Sequence, residues 1–228
     1  MNSPFSRRRP AAFTLVELLT VIAVIGILAA IVISTLGRVR RNAQQARSIA
    51  NLRQIGAAML AFAGDNKGMV PVWHDYTQTT PDLPGLPVMS GRYWWEALQT
   101  YLGTDPEIFH SPAHAEFDGS SRTRLRETLS YGWNYAVMGR HVGDNSKDGD
   151  HTLRIQDFPT PSLALAASDG RAVDSWGFIA HDAPPDGNRY GGRVPAVFAD
   201  GHTAVLAASE FANEDPWFSK VKALPNNK

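Results

Sequence analysis

Apolar positions open this chain as a block and continue as a stripe. Phe13 to Leu36 reads FTLVELLTVIAVIGILAAIVISTL, 24 residues with one charge, Glu17. From Val39 the apolar positions recur every three or four residues, through Ala43, Ala46, Ile49, Leu52, Ile55, Met59 and Phe62. That is the period of a helix with one buried face. Arg38, Arg40, Arg41, Gln44, Gln45, Arg47, Asn51 and Gln54 fall on the other face. Gly64-Asp65-Asn66-Lys67-Gly68 is a stop signal. The pattern predicts one helix from Phe13 to Ala63, about 75 Å long at 1.5 Å per residue. Its first half is apolar all round and its second half amphipathic.

Beyond the stop the pattern breaks into short pieces. Residues 65–90 are rich in proline and predict loop. Ser90 to Gly103 predicts a short helix with Ser90 as N-cap, Trp94, Leu98 and Tyr101 on one face, and Gly103 as its end. Ser130–Val137, Ser162–Ala167 and Gly177–Ala180 predict strands. Val194 to Leu206 holds two strand-like runs around Asp200-Gly201, the dipeptide of a two-residue hairpin turn. Asp200 and Gly201 are read as turn residues rather than as catalytic groups. The expected fold is α+β: a long N-terminal helix packed on a small antiparallel sheet.

Charge divides the chain at the same place. The totals balance, with 22 basic and 22 acidic side chains. Up to Gly68, however, nine basic residues face two acidic ones, a net of +7, and from Met69 thirteen face twenty, a net of −7. A basic, apolar stalk carries an acidic head, which argues against a nucleic-acid footprint. With no Cys, disulfides, thiol nucleophiles and cysteine-held metals are excluded. The 24-residue block spans about 36 Å as a helix, enough for a hydrocarbon core of about 30 Å. An ordinary signal peptide has a shorter apolar run and a small-x-small cleavage site, so that reading is weaker. Arg7-Arg8-Arg9 before the span and Arg38, Arg40 and Arg41 after it leave the orientation undecided by charge. Glu17 costs about 2.5–3.5 kcal/mol at the centre of such a span and less near its edge. It is either solvated at headgroup depth or awaiting a cationic partner.

Arg7-Arg8-Arg9-Pro10-Ala11-Ala12, followed by Phe13-Thr14-Leu15-Val16-Glu17, resembles the prepilin cleavage and methylation signal of type IV pilins and type II secretion pseudopilins. The resemblance implies a pilin-like fold and cleavage between Ala12 and Phe13 by a prepilin peptidase. Methylation of the new Phe13 amine and assembly through Glu17 would follow. It also implies four partners: that peptidase, other pilin or pseudopilin subunits, an inner-membrane assembly platform and the lipid bilayer. Ala12 stands where the family has Gly, and Ser34 where related stalks carry Pro. Phe198-Ala199-Asp200-Gly201-His202 is similar to the end of a His-(nine residues)-Asp-Gly segment found in many prepilin-processed proteins. Here Tyr190 stands in place of that His.

Other chemistry is thinner. Asp144, Ser146, Asp148 and Asp150 space oxygen ligands like the first half of a calcium loop. Ile155 stands where the closing bidentate acid belongs, which favours a solvated acidic loop over calcium. His110 and His114 share an i, i+4 spacing, but Pro112 works against the helix that would join them. No nucleophile motif, zinc-protease motif or phosphate loop is present. Six Trp suit a buried core, with one or two left for a glycan or partner surface.

The expected organisation is a leader over 1–12, a membrane and assembly helix over 13–36, its amphipathic continuation over 37–64, and a periplasmic or extracellular head over 65–228. The expected function is structural, a filament subunit with no catalysis. The alternative is a membrane-anchored binding module with a Trp-rich head.

Overall fold

The computed structural model describes residues 15–79, 90–143, 152–171, 176–180 and 183–211. The chain divides into two compact units, Met1–Arg41 and Asn42–Lys228. Helix α1 runs over Leu15–Asp65, 51 residues. Lys67 (φ +56°) and Gly68 (φ +82°) turn left-handed just past its end, and the Gly68 N–H donates to the Ala63 carbonyl at 2.7 Å.

The second unit is α+β. Its first sheet orders β2 (Ser90–Tyr93), β1 (His74–Thr79) and β4 (His141–Val142). The second orders β6 (Phe178–Ile179), β3 (Tyr131–Asn134), β5 (Leu165–Asp169), β7 (Arg193–Phe198) and β8 (Thr203–Ala207). Both sheets are mixed. β1–β4 and β3–β6 pair parallel, and the remaining pairs are antiparallel.

Several elements differ from the sequence pattern. Ser90 is a strand residue, and α2 covers Trp94–Leu102 with Tyr93 as its N-cap residue. Glu96 makes the difference, because its carboxylate accepts from the Tyr93 N–H at 2.8 Å and so fixes the first turn there. The same carboxylate pairs with the buried Arg122 of α3 (Arg122–Thr128). β3 ends at Asn134, and Tyr135–Met138 is a helical turn, α4. Pro161–Leu163 forms a 3₁₀ turn, so β5 starts only at Leu165. The polar segment His74–Thr79, read as loop, is a strand because β2 and β4 flank it.

Leu52, Ile55 and Met59 of α1 are fully buried against Trp94, Trp133 and Phe109. Trp94 and Trp133 stack at 5.2 Å. On the opposite face of the five-stranded sheet, Leu165, Ile179, Val194 and Phe198 form a second cluster. Gln44 and Asn51, assigned from the sequence to the polar outer face, instead clip a loop to the helix. Gln44 donates to the Pro112 carbonyl at 2.8 Å and Asn51 to that of His110 at 2.9 Å.

A polar knot lies inside the head. The Arg189 guanidinium donates to the Ser130 carbonyl at 2.7 Å and approaches Asp169 at 3.5 Å. Asp186 stands at 3.5 Å from Arg189 Nε. The Tyr131 hydroxyl donates to Ser48 of α1 at 3.1 Å, and Ser111 pairs with Tyr190 at 2.6 Å. Complete burial pushes the Asp169 carboxyl up to about 7, against the opposing pull of Arg189. Burial also raises the Tyr131 and Tyr190 phenols.

The sign of the pH effect follows. The folded chain holds the Asp169 proton more tightly than the unfolded chain. This group's contribution is therefore fully present below about pH 4 and lost as pH rises through 7. Thermal melts of the detergent-solubilised chain at pH 5 and pH 8 should differ by less in Asp169→Asn than in the parent. Asp118, held down to about 2 by hydrogen bonds from Ser120 and Arg124, stays ionised across that range.

Candidate assembly site

The described residues of the first unit, 15–41, are the N-terminal part of α1. Among the described residues, it is the one helix long and apolar enough to cross a membrane. Leu15 is 80% exposed and Ile33 71%, and every large apolar side chain described between them is at least 48% exposed. Burying such a side chain is worth about 1.5–3 kcal/mol. A helix apolar on every side finds that burial in lipid or against other helices. Thr20 and Thr35 return their hydroxyls to the carbonyls of Glu17 and Val32, at 3.0 and 2.9 Å. Neither hydroxyl then needs water.

Glu17 sits in the first described turn of α1. A carboxylate there is favoured by the helix macrodipole. It is the only charged side chain between Leu15 and Leu36. Ala12 and Phe13 lie outside the described residues, as do Asp144, Ser146, Asp148, Asp150 and Trp217. No cluster of three or more metal-ligating side chains occurs among the described residues. His110 Nε2 lies 3.2 Å from the His114 carbonyl. His110 pairs with Glu107 at 2.9 Å and His114 with Ser130 at 2.9 Å.

The Asp200-Gly201 hairpin is a landing point for the helix. Its loop has three residues, Ala199 to Gly201, rather than two. The Phe198 N–H donates to the His202 carbonyl at 3.0 Å, and the Gly201 N–H to that of Phe198 at 2.8 Å. Gly201 takes φ +84°, the left-handed residue of a turn-plus-bulge hairpin. The Asp200 carboxylate accepts from the His202 N–H at 3.1 Å. Gly56 of α1 presses on this loop. A Cβ on Gly56 would stand 2.7 Å from Val197 Cγ2 and 3.2 Å from the Gly201 carbonyl, and one on Gly201 would stand 2.7 Å from Leu60 Cδ1. Sequence reading assigned Gly56 only to a helix. The signal for its role is a glycine on the buried stripe, next to Ile55.

Residues 7–33 match the family model of the prokaryotic N-terminal methylation motif. The chain thus carries the prepilin-type signal of type IV pilins and pseudopilins, on the segment whose described part is the exposed apolar helix. The helix that carries the described part of this motif is long and apolar enough to cross a membrane. No curated protein and no solved structure matches the chain.

Proposed function

We propose that this chain is a structural filament subunit. A prepilin peptidase cuts it between Ala12 and Phe13 and methylates the new amine. Residues 13–36 hold it in the inner membrane, with the head on the periplasmic or extracellular side, until an assembly platform extracts it. Copies, alone or with other pilin-like subunits, then pack stalk to stalk. The observation that carries this reading is the coincidence of the matched motif with an apolar helix exposed on all sides and bearing one carboxylate.

The electrostatics support a division of labour along that helix. Cleavage creates an ammonium four residues before Glu17. In a staggered stack the Phe13 amine of one copy meets Glu17 of the next, and each offsets the other's desolvation. Apolar packing supplies the association and the ion pair selects the axial register. Repetition of one heterologous contact gives an open helical fibre. The chain itself contributes packing and no reaction step.

Filament recovery tests the assignment. In cells carrying a prepilin peptidase and an assembly platform, the chain is expected in the fibres sheared from the surface or envelope and labelled by antibody in electron micrographs. Its confinement to the membrane fraction, with other subunits assembling normally, would leave it an anchored binding module.

A further inference from the structure

The apolar block ends abruptly in cations. Arg38 comes two residues past Leu36, and Arg40 and Arg41 follow. All three are exposed. None of their guanidinium groups has a hydrogen bond or ion pair among the described residues. The helix offers them no carboxylate either, because no Asp or Glu occurs from Leu18 to Gly64. Acids at i±3 or i±4, which would offset charge on a helix surface, are therefore absent.

Helix geometry sets these three charges in a ring at one depth. At 1.5 Å per residue they stand about 3, 6 and 7.5 Å beyond Leu36. The polar layer on each side of a hydrocarbon core is about 5–8 Å deep. A span that ends at Leu36 thus leaves all three at headgroup level. At about 100° per residue, their positions fall near 0°, 200° and 300° around the axis. A protein partner meets one side of a helix, whereas lipid at this depth surrounds it. Arginine suits the place, since its stem lies along apolar surface and its planar fork pairs with phosphate oxygens.

We infer that Arg38, Arg40 and Arg41 form a collar that binds anionic phospholipid headgroups in the leaflet where the span ends. The inference rests on the membrane-anchor part of the proposed function and adds a lipid class to it. The collar also resists sliding of α1 toward the first leaflet, because that movement drags three cations into hydrocarbon. Arg47 and Arg53 are exposed on the same helix. They begin six residues past Arg41, about 9 Å along the axis. Attraction to a charged membrane surface fades within about 8 Å at physiological salt, so these two arginines lie outside the collar.

Spin-labelled lipids test this in the full chain. The protein is reconstituted in phosphatidylcholine vesicles holding a trace of spin-labelled phosphatidylglycerol or spin-labelled phosphatidylcholine. The readout is the ratio of the two labels' motionally restricted fractions. Arg7–Arg9 of the leader act on the same ratio, so each variant is compared with the parent. Replacing the collar together, as Arg38→Gln, Arg40→Gln and Arg41→Gln, should lower the preference for phosphatidylglycerol at least about twofold. Lysine at the same three positions keeps the charge and should keep the preference, which separates lost charge from lost folding. Arg47→Gln with Arg53→Gln should leave it unchanged. An equal preference in the parent and the collar variant overturns the inference and leaves the anchor reading standing, as does an equal loss in the Arg47 and Arg53 variant. If the parent does not float with the vesicles in a density gradient, the anchor reading falls and takes the collar with it.

Discussion

Glu17→Ala is expected to leave membrane insertion intact and to lower filament yield more than tenfold. An apolar helix loses about 2.5–3.5 kcal/mol of insertion cost when a central carboxylate is removed, and less near the interface. The variant should therefore enter the membrane at least as well as the parent. What it loses is the partner for the Phe13 amine. Without Glu17 that ammonium enters a stalk bundle uncompensated, and removing one member of a buried pair costs about 3–5 kcal/mol. The penalty recurs at every subunit added, so a small defect per contact becomes a large defect in length. Glu17→Asp keeps the charge on a shorter arm and should recover part of the yield. Immunoblots of sheared and membrane fractions read both outcomes. Normal assembly of Glu17→Ala would remove the ion pair from the account.

Gly56→Val should lower the thermal midpoint of the head by roughly 3–14 °C. The valine Cβ would arrive 2.7 Å from Val197 Cγ2 and 3.2 Å from the Gly201 carbonyl. The carbonyl belongs to a hairpin loop that is itself pinned, because Gly201 is left-handed and abuts Leu60. Neither side yields easily, and overpacking of this kind costs about 1–3 kcal/mol. Valine's restricted χ1 in a helix adds a few tenths. At roughly 2–4 °C per kcal/mol for a chain of this size, the stated drop follows. Gly64→Ala on the same helix is the opposite case. Nothing lies within 4 Å of a Cβ there, and alanine gains up to about 1 kcal/mol of helix propensity. A calorimetric comparison of the two variants in detergent separates crowding from any general sensitivity of α1 to substitution.

What was legible in the sequence was local. The 24-residue apolar block, its lone Glu17 and the basic residues before it lie side by side, and they identified the motif without any tertiary information. The helix stop at Gly64–Gly68 and the hairpin around Asp200-Gly201 were legible for the same reason. The pairing partners of polar segments were not. His74–Thr79 is a strand because β2 and β4 saturate its edges, and its own residues carry no alternation of apolar and polar positions. The knot of Ser48, Ser111, Tyr131, Asp169, Arg189 and Tyr190 joins side chains up to 142 positions apart. Singly, none of them carries a signal of its partners. The sequence holds six tryptophans, and only the fold stacks Trp94 on Trp133.

The most direct test of the account is the N-terminus of the chain extracted from membranes that contain a prepilin peptidase. Mass spectrometry of the N-terminal peptide should find N-methylated Phe13 at the start of the mature chain. Recovery of the chain with Met1 and the Arg7–Arg9 leader intact, while other prepilins in the same membranes are cut, would contradict it.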